Sequence, residues 1–338
     1  MNDRTRVPQI AHRESKSLVM SGLYPATLTP FNADFSIDLP ALREHLKTIA
    51  HTPGVKGLVV NGGLGELLQL SLEEQVLVVQ ETARVVQPGQ IIVAGVSSCN
   101  VQQAAASALA VKHAGAQALL VFPPFDNRAY RRLTAHTPAV VAFFRELGNT
   151  VGLPMIIFQY GPQSGCAYSV ETLLALAELP QVVAVKATSG SLEAYKPLWD
   201  ALQDKLSIMA AVDGPPLVEM LEYGAHGALI GISTIGTPLW VNLVDAHSRG
   251  DLETARKIFL NGCAPLMARV WENHLPTRIS SEVAATKEAL VQMGQLPSSR
   301  VRPPAIDVSD AVRAEIRLAL IEAGLIEATT KAQMALSA

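Results

Sequence analysis

One lysine stands in a strongly apolar part of the chain. Residues 182–190 read VVAVKATSG, so that four apolar residues lead directly into Lys186 and small residues follow it. Moving an ammonium group out of water is costly unless the charge is paired. Such a lysine therefore either extends to solvent or has a lowered pKa and a chemical use. A desolvated amine loses its proton near neutral pH and attacks carbonyl groups to form a Schiff base.

A glycine-rich stretch provides a second candidate site. Residues 61–71 read NGGLGELLQLS, directly after an apolar run and before a segment with helical periodicity. Gly62, Gly63 and Gly65 would let backbone N–H groups approach an anion, which suits the carboxylate of a small 2-oxo acid. The alternative is an ordinary tight turn. No downstream acid of a dinucleotide-binding motif and no lysine of a phosphate-binding loop accompanies the glycines.

Composition limits the classes of protein to which the chain can belong. It has 338 residues, of which 49% are hydrophobic and 17% are charged, enough for one large domain with an appendage. The net charge of −3, without a cluster of Lys and Arg, argues against nucleic acid as a partner. Residues 1–17 are too polar for a secretory signal, and no run of about 18 apolar residues predicts a membrane span. Cys99, Cys166 and Cys263 lie far apart, as expected of reduced thiols in a cytoplasmic protein.

Eight short apolar runs alternate with segments that have helical periodicity. Nearly continuous apolar runs are typical of parallel strands that are covered on both sides. Ser71 and Ser169 each stand where a helix N-cap is expected. The pattern predicts an α/β fold, a (β/α)8 TIM barrel with a C-terminal helical extension. The predicted strands are 22–28, 55–60, 91–96, 118–122, 154–160, 182–188, 206–212 and 227–232.

The same pattern predicts three regions along the chain. Residues 1–20 form an N-terminal extension, residues 21–240 the barrel and residues 241–338 a C-terminal helical region. Catalytic side chains in such barrels lie at the C-terminal ends of the strands. Lys186 ends the sixth run and the glycine-rich stretch follows the second, so both are expected at that face.

Seven motifs follow one another in an order similar to that of the dihydrodipicolinate synthase/N-acetylneuraminate lyase superfamily of class I aldolases. The resemblance spans residues 20–300. It implies that Lys186 forms an imine with pyruvate or a pyruvate moiety and that Gly63 and Leu64 bind the pyruvyl carboxylate. The motifs are LTPF (28–31), NGGLGELLQLSLEEQ (61–75), AGVSS (94–98), AGAQALLVFPPF (114–125), LPMIIFQYGPQSG (153–165), VVAVKATSG (182–190) and GAHGALIG (224–231).

The chain departs from this family's pattern at several positions. The family turn G-(T/S)-T-G-E reads G-G-L-G-E here, so the backbone donors remain and the hydroxyls are lost. Ungapped pairing places Phe158 at the family tyrosine and Gln163 at the arginine that meets a distal carboxylate in the synthases. A gapped pairing would place Tyr160 at the family tyrosine instead, but it needs a two-residue deletion in the following loop. The aromatic pair after the fourth strand becomes Pro124 and Phe125, without a phenol. These changes predict a less polar outer pocket, which favours a neutral or apolar carbonyl partner.

Four further residues are candidates for the site. Tyr160 lies two residues beyond Phe158, and because side chains alternate along a strand it shares the same face about 6.6 Å further on. It is a candidate proton relay, and the alternative is a loop tyrosine that points elsewhere. Thr188 and Ser189 are candidate hydroxyl groups beside the lysine or strand-end caps. Asp213, at the end of the seventh run, is a candidate pocket wall or a solvated surface residue.

The sequence therefore predicts a Schiff-base-forming lyase, an aldolase or a hydratase/dehydratase, that acts on pyruvate or another 2-oxo acid and is not an authentic dihydrodipicolinate synthase. An alternative is a degenerate family member that binds a metabolite without turnover. A third, a phosphate-binding barrel using GAHGALIGIS, leaves Lys186 unexplained. No metal or cofactor motif is present. The resemblance implies a small-molecule substrate and a homodimer or homotetramer.

Overall fold

Eight parallel strands form one sheet that closes on itself. The computed structural model describes residues 16–124, 135–271 and 281–328. The strand order is β1-β8-β7-β6-β5-β4-β3-β2, and isolated parallel bridges join Leu23 to Val55 and Ala26 to Val59 across the remaining gap. The predicted (β/α)8 TIM barrel is confirmed. The strands are β1 (Gly22–Pro25), β2 (Gly57–Val60), β3 (Ile91–Val96), β4 (Ala118–Val121), β5 (Met155–Gln159), β6 (Val182–Ala187), β7 (Ser207–Ala210) and β8 (Gly227–Ile230).

Helices follow the strands and continue beyond the barrel. Ser71 accepts a hydrogen bond from the Glu74 N–H and Glu74 accepts one from the Ser71 N–H, which is the predicted capping box. Ser169 caps its helix as predicted. The barrel helices are α1 (Leu39–Ala50), α2 (Leu72–Ala83), α3 (Val101–His113), α4 (Thr137–Val151), α5 (Val170–Ala177), α6 (Leu192–Leu202), α7 (Pro216–Tyr223) and α8 (Thr237–Ser248). The later helices are α9 (Leu252–Ile258), α10 (Ala264–Leu266), α11 (Glu282–Gln292) and α12 (Asp310–Glu322), with π-helical turns at Phe259–Cys263 and Met267–Trp271.

The apolar residues form an inner cluster within the barrel and an outer cluster beneath the helices. Along β6, Ala184 belongs to the inner cluster and Val185 to the outer one. Because side chains alternate along a strand, Lys186 shares the inner face with Ala184. Met20 is fully buried in the inner cluster and its N–H donates to the Ser207 hydroxyl over 2.9 Å, so the end of the predicted N-terminal extension packs into the barrel. In the described parts of the chain, no helix combines the length and apolar character needed to cross a bilayer.

A close backbone contact fixes the loop after β2 against β3. A Cβ atom added to Gly95 would lie 1.8 Å from the carbonyl oxygen of Asn61. Such a distance is far below van der Waals contact, so the loop can hold its place only because residue 95 has no side chain. The contact positions the start of the glycine-rich stretch at the C-terminal face of the barrel.

Candidate active site

A cavity of about 330 Å³ opens at the C-terminal ends of β2 to β5. Side chains after β4 and β5 form one wall, and residues from the start of α11 and from the segment after it line the cavity from the C-terminal region. The surface of the cavity is mainly apolar, and no lysine or arginine of the described residues lines it. The lining residues are Gly62, Gly63, Glu66, Leu67, Leu68, Gln69, Ser97, Phe122, Pro123, Tyr160, Cys166, Ser281, Val283 and Ala305.

Lys186 lies on β6 between Phe158 on β5 and Met209 on β7, its partners in register. Its Nζ atom is 4.1 Å from the centroid of the Phe158 ring. Burial lowers the pKa of Lys186 to about 8, and the negative charge of Asp213 opposes that shift. A pKa near 8 leaves about a tenth of the amine neutral at pH 7, and the neutral amine is the form that attacks a carbonyl carbon.

Asp213 follows β7 and interacts electrostatically with Lys186. Its Oδ1 atom accepts a hydrogen bond from the backbone N–H of Ile232 over 2.8 Å. Burial raises the pKa of Asp213 to about 6, while this hydrogen bond and the charge of Lys186 act in the opposite direction. At neutral pH the carboxyl group is therefore mainly ionised, and it favours the protonated form of the lysine.

Three aromatic rings stack next to the lysine. The ring centroids of Phe122 and Phe158 are 4.4 Å apart, and those of Phe158 and Tyr160 are 4.5 Å apart. Tyr160 thus lies on the side of the strand that its spacing from Phe158 predicts. Burial, followed by the nearby Cys166, raises the pKa of Tyr160 to about 12. The phenol accordingly keeps its proton near neutral pH and can act as a hydrogen-bond donor.

Residues 61–66, here called the glycine turn, have an unusual backbone. Asn61 and Glu66 adopt left-handed conformations with φ of 52° and 58°, although neither is glycine. The N–H groups of Gly62, Gly63 and Leu64 donate to no residue that the structure describes. Unpaired N–H groups at the rim of a cavity can bind an anion. The side chain of Leu64 packs into the outer cluster, so only the backbone N–H of Leu64 is available to bind an anion.

The other predicted residues lie around this centre. The Thr188 hydroxyl donates to the Gln159 carbonyl over 2.6 Å and thereby ties the end of β6 to β5. Ser189 is buried, whereas Gln163 is exposed in the short helical turn Pro162–Ser164 and is absent from the cavity lining. Phe125 lies outside the described residues.

Sequence reasoning missed the side chains that hold the glycine turn. Lys287 on α11 donates from Nζ to Glu66 Oε2 over 2.5 Å. Arg302 forms an ion pair with Glu74 and donates to the Gln69 carbonyl over 2.6 Å. Glu66 was visible in the quoted stretch, but Lys287 lies 221 residues further along, where nothing in the local sequence marks it. Among the described residues, no group of three or more His, Cys, Asp or Glu side chains is placed to hold a metal ion.

Comparisons of the sequence and of the structure with known proteins find dihydrodipicolinate synthases and similar proteins. Residues 19–323 match the sequence model of the Dihydrodipicolinate synthetase family. The chain is 27% identical to 4-hydroxy-tetrahydrodipicolinate synthase of Ralstonia nicotianae over 308 residues, which cover 91% of this chain and 99% of the relative. The dihydrodipicolinate synthase of Acinetobacter baumannii, solved in complex with pyruvate, has a TM-score of 0.81 and 25% identity and covers 91% of this chain and 100% of that one. The N-acetylneuraminate lyase of Fusobacterium nucleatum has a TM-score of 0.76 and 23% identity, with 89% and 98% covered, and is similar in fold.

Replacing Asp213 by Asn should lower the pKa of Lys186 below about 8. The carboxylate stabilises the ammonium form, so its removal favours the neutral amine. The pH dependence of Lys186 acylation, followed by peptide mass spectrometry, measures this pKa. The control is Asp200→Asn, which changes an exposed residue that accepts a hydrogen bond from the Tyr223 hydroxyl. An unchanged or raised pKa in Asp213→Asn would show that the two groups do not interact.

Proposed function

Because the chain belongs to the Dihydrodipicolinate synthetase family, we propose that it is a Schiff-base-forming lyase acting on pyruvate or another 2-oxo acid. The observation that carries the proposal is the half-buried Lys186, whose pKa of about 8 suits a nucleophilic amine. The reaction would be that of an aldolase or of a hydratase/dehydratase. Both need the same electron sink, so the proposal covers both.

The proposed chemistry begins with attack by the neutral Lys186 amine on the C2 carbonyl of the 2-oxo acid. The resulting neutral carbinolamine takes up one proton on its hydroxyl group, passed on by Tyr160, and loses water to give a protonated imine. This cation accepts the electron pair that is left when a C–C bond breaks or a C–H proton leaves at the neighbouring carbon. The N–H groups of the glycine turn are the proposed binding site of the substrate carboxylate.

Proton transfer is assigned to Tyr160 in this proposal. The Phe158 ring lies beside Lys186 and cannot carry a proton, whereas Tyr160 stacks on that ring and lines the cavity. Asp213 is proposed to set the charge of the lysine. Thr188 and Ser189 are proposed as supports of the strand end, since the Thr188 hydroxyl already binds the backbone of β5.

The main competing function is a family member that binds a metabolite without turnover. Loss of the turn hydroxyls and of the phenol at position 158 favours that alternative. Retention of a desolvated lysine on the inner face of the barrel favours the enzyme, because an apolar residue there would avoid the cost of burial. Trapping of an imine on Lys186, followed by a turnover assay, separates the two.

Two properties are proposed on weaker grounds. The three cysteines are free thiols, which agrees with the cytoplasmic location that we propose. Assembly as a homodimer or homotetramer is proposed from the family resemblance, and sedimentation velocity of the purified chain would measure it.

Pyruvate or a related 2-oxo acid should form a borohydride-reducible adduct on Lys186. The neutral fraction of the amine makes imine formation feasible near pH 7 to 8, and reduction makes the bond permanent. Intact-protein and peptide masses locate the adduct, and Lys186→Met is the control that should remain unmodified. An unmodified Lys186 at millimolar concentrations of several 2-oxo acids would exclude the lyase function.

The protein should be a poor catalyst of pyruvate condensation with aspartate semialdehyde. Gln163 is exposed and neutral, and no described cation lines the cavity to receive a distal carboxylate. A coupled assay of this condensation should give a rate lower by at least about 10²-fold than condensation with an apolar aldehyde, because a buried distal carboxylate without a cationic partner costs about 3 kcal/mol or more. Equal rates with both carbonyl partners would contradict the proposed specificity.

Replacing Tyr160 by Phe should lower turnover by about 10²-fold or more while the Lys186 adduct still forms. The substitution removes only the hydroxyl and keeps the ring that stacks on Phe158. Steady-state kinetics measure turnover, and borohydride trapping measures imine formation in the same samples. Tyr223→Phe, on the outer side of the barrel at the end of α7, is the matched control. Unchanged kinetics in Tyr160→Phe would assign the proton transfer to water or to the substrate.

A further inference from the structure

An ion pair buried next to the cavity links the glycine turn to the C-terminal region. The Lys287 side chain has no exposed surface and that of Glu66 is 3% exposed. Lys287 also donates to the Arg300 carbonyl over 2.9 Å, and its Nζ lies 4.3 Å from the centroid of the Phe31 ring. Burying two charges is costly unless they neutralise each other, so a pair at this depth calls for an explanation beyond stability.

The position of Glu66 suggests that explanation. It ends the glycine turn, its N–H donates to the Gly63 carbonyl over 3.1 Å, and it lines the cavity. The turn whose N–H groups are proposed to bind the substrate carboxylate therefore also carries a carboxylate of its own at the cavity. Two carboxylates beside one mainly apolar cavity repel each other, because the low dielectric screens them poorly.

We propose that Lys287 is a positioning residue for substrate binding: its ammonium group neutralises Glu66 behind the glycine turn, so that the turn can accept the carboxylate of a 2-oxo acid. This inference rests on the proposed function, since it takes the substrate to be an anion held at that turn. It assigns part of the site to α11, beyond the strand ends from which the other site residues come.

The surrounding groups leave Lys287 as the cation in direct contact with Glu66. Oε1 of Glu66 has no hydrogen-bond partner among the described residues, and Oε2 is bound by Lys287. The backbone N–H of Arg302 and then its charge also favour the ionised form of Glu66, but the Arg302 guanidinium already pairs with Glu74. His45 on α1 adds no positive charge near neutral pH, because burial and then the charge of Lys287 lower its pKa to about 4.

Among the described residues, Asp307 is a further charged group near the pair, and its negative charge acts on Lys287. Burial raises the pKa of Glu66, and Lys287 and Arg302 oppose this rise. Without Lys287 the effect of burial on the pKa of Glu66 is opposed less, so the carboxyl group should be protonated more readily as the pH falls and become negative as the pH rises. The repulsion of a substrate carboxylate should then grow with pH.

The test is the pyruvate concentration that gives half-maximal borohydride trapping on Lys186. Lys287→Met should need at least about tenfold more pyruvate near pH 8, equivalent to about 1.4 kcal/mol, with the same maximal adduct because Lys186 is intact. The deficit relative to the wild type should shrink when the same titration is made at a lower pH, because burial raises the pKa of Glu66. The double variant Glu66→Gln/Lys287→Met should return to within about threefold of the wild type at both pH values, since both charges are gone.

A matched control removes another charged contact of the C-terminal region. Arg269 pairs with Glu315 and Glu322 on α12, and none of the three lines the cavity. Arg269→Met should leave the half-saturating pyruvate concentration unchanged, and circular dichroism melting curves report the stability of all variants. Unchanged half-saturation in a folded Lys287→Met variant would overturn the inference.

The double variant decides the remaining cases. A folded double variant that still needs tenfold more pyruvate would show that Lys287 acts through packing and not through charge, which overturns the inference even if Lys287→Met fails to fold. In both results the wild type still forms the adduct, so the proposed function stands. If the wild type forms no adduct with any 2-oxo acid, the proposed function fails and this inference fails with it.

Discussion

An amine inside an apolar barrel must be tolerated by its neighbours in both its charged and its neutral form. Two groups act on the charged form of Lys186. The face of the Phe158 ring attracts the ammonium form weakly, and Asp213 adds a more distant negative charge. Among the described residues, no carboxylate lies within ion-pair distance of Nζ. The protein can therefore fold with Lys186 protonated, but the ammonium form is not stabilised so strongly that the amine cannot lose its proton.

The second buried lysine illustrates the opposite solution. Lys287 has a carboxylate at 2.5 Å and a backbone carbonyl at 2.9 Å, so its hydrogen atoms are engaged by the protein. Both amines are desolvated, and burial lowers the pKa of each. The two amines differ in the groups that they contact. An amine that is bound to a carboxylate stabilises the structure, whereas an amine that lies beside an aromatic ring remains available to a ligand. The two lysines lie on different elements, Lys186 on β6 and Lys287 on α11, and neither is among the residues that line the cavity.

Much of this arrangement follows from local sequence. The eight strands, the helix caps at Ser71 and Ser169 and the inward direction of Lys186 were predictable because periodicity and capping depend on nearby residues. The roles of the site residues stay predictions. The pairing of Glu66 with Lys287 was not predictable, because a contact across 221 residues depends on how the C-terminal helices pack over the barrel. The sequence shows that Gln163 replaces the arginine of the family pattern. That its side chain is exposed depends on the conformation of the loop after β5, which the sequence does not reveal.

The contact between Gly95 and the Asn61 carbonyl divides the site into fixed and variable positions for protein engineering. Any side chain at residue 95 would displace the loop, since its Cβ would lie 1.8 Å from that oxygen. Gly62 and Gly63 differ: an added Cβ meets no atom of the described residues within 4 Å, and neither residue has a positive φ. Side chains introduced there would reach into the cavity mouth while leaving the N–H groups in place. A mutant library that varies these two positions and keeps Gly95 would therefore change the shape of the entrance without dismantling the backbone beneath it.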